Sequence, residues 1–126
     1  MKGAYILVAY NNRDSKIRVG SLGKLVLPKG YYCYIGSALG KATNLENRTG
    51  RHKRIAREKK GKLKWHIDYL LASPNVSILK IFSIETDKRI ECWISKLLEN
   101  MAEKTIHRFG SSDCRCKGHL HYFRKG

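Results

Sequence analysis

Two uncharged, β-rich segments near the start of the chain constrain its fold more than any other feature. Residues 3–10 run Gly-Ala-Tyr-Ile-Leu-Val-Ala-Tyr and stop at Asn11, Asn12 and Asp14; residues 31–36 run Tyr-Tyr-Cys-Tyr-Ile-Gly after Pro28-Lys29-Gly30. β-Branched and aromatic side chains fit a pleated, half-buried surface, and Asn/Asp and Pro/Gly clusters are turn chemistry, so both segments are predicted strands. Short strand candidates at 17–19 and 24–27 lie between them, around Gly20 and Gly23. A further strand is predicted at 78–84 and a last short one at 120–123. Thr43-Asn44-Leu45-Glu46 has the layout of a capping box, with Thr43 at the N-cap, and opens a predicted helix over 45–58. Gly50 inside it costs about 1 kcal/mol relative to alanine, and Gly61 marks a stop. Residues 65–71 predict a short helix ended by Ser73-Pro74. Asp87 is the expected cap of a long helix reaching about residue 107, because Ile90, Ile94, Leu97, Leu98 and Met101 follow helical spacing. This order of elements predicts an α+β fold, a small antiparallel or mixed sheet packed with helices. A chain of 126 residues, 42% hydrophobic, supports one core and is too short for two ordinary domains, so a single domain over 1–126 is expected.

Charge narrows the function. Lys and Arg number 26 against 10 acidic residues, a net +16. Such an excess repels itself in a compact chain and commonly answers an external anion. Nucleic acid is the first candidate, an anionic membrane surface the second, and a solvated basic surface the plain alternative. The excess is local: residues 48–64 hold nine basic side chains (Arg48, Arg51, Lys53, Arg54, Arg57, Lys59, Lys60, Lys62, Lys64) against one acid, Glu58. Ile55, Leu63 and Trp65 punctuate the run, which favours a folded element with a basic face over a mobile arm. The opening residues lack a signal-peptide layout and no apolar run approaches the roughly 20 residues that span a bilayer. A cytoplasmic protein with reduced thiols is therefore expected. Of the four cysteines, Cys33 and Cys92 fall in apolar segments and read as small core residues. Cys114 and Cys116, with His119 and His121, invite a zinc site, although a C-x-C pair matches structural zinc spacing poorly; a tight turn into the final strand is the alternative.

Five residues stand out for chemistry. Tyr5 and Tyr34 lie on the two strong strands, and a strand pair can bring them together; a phenol can donate, accept or, beside a cation, give up its proton. Core and edge tyrosines are equally common on strands. Arg48 and His52 are four apart and share a helix face. Arg48 offers a planar fork for phosphate, and His52 can exchange a proton near neutral pH. Glu91, on the flank of the predicted long helix, can anchor a divalent cation that bridges to phosphate, or can be an ordinary first-turn glutamate favoured by the helix dipole.

Gly3-Ala4-Tyr5, Tyr34-Ile35-Gly36-Ser37, Leu45-x-x-Arg48-x-x-x-His52 and a glutamate early in a later helix, taken in order, resemble the GIY-YIG nuclease superfamily. Residues 30–37, 65–71 and 109–119 resemble more closely a small branch of it, whose members are sometimes fused to endonuclease III-type DNA glycosylases. The resemblance implies a three-stranded antiparallel core sheet flanked by helices. It implies divalent-metal-dependent (Mg²⁺ or Mn²⁺) hydrolysis of a DNA phosphodiester in DNA repair or processing, with DNA as substrate and a glycosylase or other repair protein as a partner. Tyr5 and Tyr34 match the motif tyrosines, Gly36 the glycine that lets the backbone turn, Arg48 the phosphate-binding arginine and Glu91 the metal-binding glutamate. His52 stands where the superfamily carries histidine or tyrosine. Arg51, Lys53, Arg54, Arg57, Lys59 and Lys60 are the expected nucleic-acid contacts. The sequence departs from the pattern in Ala4 for isoleucine, in a long gap between the two tyrosines, and in having Glu85, Asp87 and Glu99 as competitors of Glu91. His66 and Asp68 either extend the site or cap the short helix. A binding or partner-docking module on the same fold, without efficient cutting, is the alternative function.

Overall fold

A computed structural model of the chain describes residues 1–40, 44–111 and 116–125. Strands β1 (Gly3–Asn11), β2 (Ser15–Arg18), β3 (Lys24–Leu27) and β4 (Gly30–Ala38) come first, followed by helices α1 (Leu45–Glu58) and α2 (His66–Ala72). Then come β5 (Val76–Glu85), α3 (Glu91–Met101), β6 (Lys104–Ile106) and β7 (Leu120–Phe123). The two strong strand segments pair with each other: β1 and β4 run antiparallel with Tyr5 opposite Gly36 and Leu7 opposite Tyr34. The expected three-stranded core is wider than the resemblance implied. The sheet has five strands in the order β5-β1-β4-β7-β6, and β2 and β3 form a separate hairpin.

Period-2 alternation sorts the sheet residues onto two faces. Tyr5, Leu7 and Ala9 of β1 and Tyr32 and Tyr34 of β4 point to one face, where they meet Leu45 and Ile55 of α1 and Ile67, Leu70 and Leu71 of α2. Ala4 and Ile35 point to the other, where Ile94 of α3 covers them. Buried phenols on the main face are satisfied: the Tyr32 hydroxyl donates to the Pro28 carbonyl and the Tyr122 hydroxyl to the Lys29 carbonyl, each at 2.6 Å.

Helix α1 spans the predicted residues and runs through Gly50 unbroken. Its N-cap is Asn44, whose side chain accepts from the Asn47 backbone N–H at 2.9 Å; the expected cap, Thr43, lies outside the described residues. The helix ends at Lys59 in the left-handed conformation, ahead of the Gly61 signal. The long helix expected from Asp87 to residue 107 is corrected. It runs only Glu91–Met101, and its last predicted turns are the strand β6, paired with β7. Helical spacing misled because Leu97 and Met101 are exposed, at 49% and 71%, so the apolar stripe is partly a surface feature. Gly36 does not turn the chain: it lies within β4, and a Cβ there would overlap the Tyr5 ring on the neighbouring strand. No helix among the described residues is long and apolar enough to cross a membrane.

Candidate functional site

Where β4 ends and α1, α2 and α3 approach each other, a polar cleft of about 590 Å³ opens to solvent, and Tyr34, Arg48 and Glu91 line it together. Each arrives from a different element. Tyr34 comes from β4 on the α1 side of the sheet, Arg48 from the first turn of α1, and Glu91 from the first turn of α3. Glu91 is the sole acid among the described lining residues, and its competitors Glu85, Asp87 and Glu99 do not reach the cleft. Lys64, Trp65, His66, Arg89 and His119 share the walls.

Tyr5 and His52 form the layer behind. Both are fully buried, and the Tyr5 hydroxyl is 2.6 Å from His52 Nε2. The Tyr5 and Tyr34 rings lie 6.3 Å apart. Burial, then the neighbouring Tyr34, raises the Tyr5 phenol well above its ordinary value, against the lowering effect of the nearby Arg48 guanidinium. Tyr5 therefore keeps its proton at physiological pH. Burial likewise pushes His52 down to about 4, with Arg48 and Arg51 contributing and Asp68 opposing. An imidazole with that value is neutral near pH 7. Its Nδ1 is buried without a hydrogen-bond partner, so the Tyr5 hydroxyl is its one hydrogen-bonding anchor among the described residues.

The basic run divides by use. The Arg48 guanidinium sits 4.3 Å from the centre of the Trp65 ring, which stacks it at the cleft wall. Arg51, expected to contact nucleic acid, is turned inward. It pairs with the fully buried Asp68, with Nη1–Oδ1 at 2.6 Å and Nη2–Oδ2 at 2.8 Å, and donates to the Lys62 carbonyl. Lys59 is also taken up inside, donating through Nζ to the carbonyls of Leu71 and Val76. Lys53 and Arg57 flank a shallow groove against β5, while Arg54 and Lys60 are exposed. The alternatives for His66 and Asp68 separate. His66 lines the cleft and accepts the Gly110 N–H on Nδ1 at 2.9 Å. Asp68 caps α2, accepting from the backbone N–H groups of Lys64 and Trp65.

A second cluster adjoins the cleft. Cys92, Cys116 and His119 bring their ligand atoms within 4.8 Å of one another, a group able to hold a metal ion. The sulfurs of Cys92 and Cys116 meet as a disulfide pair, and Cys92 Sγ is 3.6 Å from His119 Nε2. Neither Cys92 nor Cys33 is the buried core residue expected: both are half-buried, Cys33 is free, and the expected reduced thiols do not hold for the paired Cys92 and Cys116. Of the four residues that suggested zinc, Cys116 and His119 join this cluster and Cys114 lies outside the described residues. His121 faces α3 one turn further on. Ser95 Oγ donates to the Gly118 carbonyl, so it accepts His121 Nε2–H at 2.7 Å, while Thr105 Oγ1 donates to His121 Nδ1 at 2.8 Å. Sequence inspection missed Trp65, Lys64, Arg89 and Cys92. An aromatic inside a basic run, a known nucleic-acid pattern, was the available signal for the first two; nothing local marked the others.

No curated protein and no solved structure matches the chain. The model of the family described as "Domain of unknown function DUF123" matches residues 4–126. The chain belongs to the DUF123 family.

Proposed function

We propose that the protein is a divalent-metal-dependent DNA endonuclease of GIY-YIG type, a single domain that hydrolyses a phosphodiester in the cleft. The observation that carries this reading is the convergence of Tyr34, Arg48 and Glu91, far apart in sequence, on one polar cleft in a strongly basic chain. The guanidinium of Arg48, placed over the Trp65 ring, presents paired N–H donors to the phosphoryl oxygens and stabilises the charge that develops on them. Lys64 and Arg89 on the same walls strengthen the attraction for the DNA backbone. The Tyr34 hydroxyl orients the attacking water. Tyr5 and His52 do not touch substrate: as a buried hydrogen-bonded pair they fix the floor beneath Tyr34 and Arg48.

Glu91 fits a hard cation, because it is a lone carboxylate in a roomy, solvent-open cleft, and Mg²⁺ binds through one or two carboxylates while keeping several waters. When bound, Mg²⁺ or Mn²⁺ supplies Lewis-acid stabilisation of phosphate oxygens.

Incubation with a panel of labelled duplex, nicked, branched and single-stranded DNA, with and without Mn²⁺, tests the reading. Cleavage that needs the metal and falls about 10²–10³-fold in Arg48→Ala is expected, with a comparable fall in Glu91→Ala and DNA binding largely kept. Equal cleavage by both variants and the parent overturns the assignment. Salt-steep binding with no product in any divalent metal favours the non-cutting binding module instead.

A further inference from the structure

The Cys92–Cys116–His119 cluster lies beyond the phosphate chemistry just described. We infer that in the reduced chain it is a zinc site, separate from the hard-cation position at Glu91, and that it clamps the start of α3 so that Glu91 faces the cleft. The zinc assignment stands by itself; its consequence for Glu91 rests on the proposed nuclease reading.

Two thiolates and an imidazole are a soft donor set that selects zinc over magnesium. Cys116-Lys-Gly-His119 has two residues between ligands, a short spacing of the kind zinc pairs use, and Cys92 adds a third ligand from a distant helix, with water filling the fourth tetrahedral position. A disulfide alone would not call for the third donor, yet a fully buried imidazole converges on the same sulfurs. The backbone at Gly118 and His119 is held by hydrogen bonds and close packing of its own. The His119 N–H donates to the Phe109 carbonyl at 2.7 Å, and its carbonyl accepts from Ile35 N–H at 3.0 Å. Gly118 is packed so closely on Ile106 that no Cβ fits, and its carbonyl accepts the Ser95 hydroxyl of α3 at 2.9 Å.

Helix α3 needs such a clamp. Its N-cap, Ile90, makes no side-chain capping bond, and only Ile94 and Ser95 of the helix are buried. Its outer face shows Trp93 at 66% and Met101 at 71% exposure. Ile90 and Leu98 pack only partly buried beside Ile94, and a metal ligand at Cys92, the residue after Glu91, ties that first turn to the segment leading into β7. Loading replaces the thiol protons, so about two protons leave per zinc bound.

The test uses the unmutated chain prepared under reducing conditions. Expected are about one zinc ion per chain and protection of Cys92 and Cys116 from alkylation until a chelator is added. Cobalt replacement should give a thiolate charge-transfer band, and chelation should speed amide exchange in α3 while β1 and β4 stay protected. Cys92→Ser and His119→Ala should lose the metal at least about 10-fold, and Cys33→Ser should keep it. Absence of zinc with both thiols alkylated before chelation overturns the proposal, as does a Cys92–Cys116 disulfide that persists in chain prepared without oxidant. None of these measurements involves DNA. A zinc-loaded chain that cuts nothing sinks the nuclease reading alone, and a cutting chain without zinc sinks the clamp alone.

Discussion

Tyr5 shows how much one side chain can settle when its neighbours are fixed. Its ring occupies the space that Gly36 leaves on the adjoining strand, and its hydroxyl holds His52. Gly36→Ala should therefore destabilise the protein by about 1–3 kcal/mol, as overpacking does in a rigid core, read as a lower urea midpoint. A neutral result would mean that the ring has room to move. Tyr5→Phe keeps the ring and removes the hydroxyl, leaving both His52 nitrogens without a described partner. It should cost about 1–3 kcal/mol, with a smaller loss of cleavage than Arg48→Ala causes, because Tyr5 acts from behind the cleft. A loss as deep as that of Arg48→Ala, at unchanged stability, would give Tyr5 a direct part in the chemistry.

Among the elements, the junction of α1 and α2 depends on the Arg51–Asp68 pair. The Asp68 carboxylate is fully buried and accepts two backbone N–H groups besides the guanidinium. Those bonds to Arg51, Trp65 and Lys64 outweigh its desolvation and hold the carboxyl below its ordinary value. Arg51→Ala should cost about 3–5 kcal/mol, since it strands a buried charge. It should leave the salt dependence of DNA binding almost unchanged. Arg54→Ala and Lys60→Ala, on exposed side chains, should do the opposite: little effect on the unfolding midpoint, and a fall of about 1 in the slope of log affinity against log salt for each phosphate contact removed. Identical slopes for all three variants would mean that the basic helix does not face the nucleic acid.

At the scale of the whole molecule, two buried histidines make stability depend on acid. His52 and His121 are each pushed down to about 4 by burial, from an ordinary 6.5; Arg48 and Arg51 add to the shift at His52, and His119 does at His121. Between those values the unfolded chain takes up protons that the folded chain refuses. Stability should hold above pH 6.5 and decline as pH falls toward 4, by up to about 3 kcal/mol for the fully buried His52; Asp68 adds a further loss below its own ordinary range. Melting temperatures that stay flat from pH 7 to pH 4.5 would contradict this. The sequence by itself determined every strand but β6, together with α1 and the short α2, because apolar alternation, turn residues and a basic helix face are local signals that the packing then respects. It also singled out Tyr34, Arg48 and Glu91 without showing that they share a cleft. Only the tertiary structure decided that Arg51 turns inward, that α3 stops at Met101 and gives way to a strand, and that Cys92 meets Cys116 and His119. Those outcomes depend on which distant residues come to lie next to each other: a charge finds a buried partner, a stripe is left uncovered, and a helix comes to rest beside a loop. Spacing along one segment carries no record of such meetings.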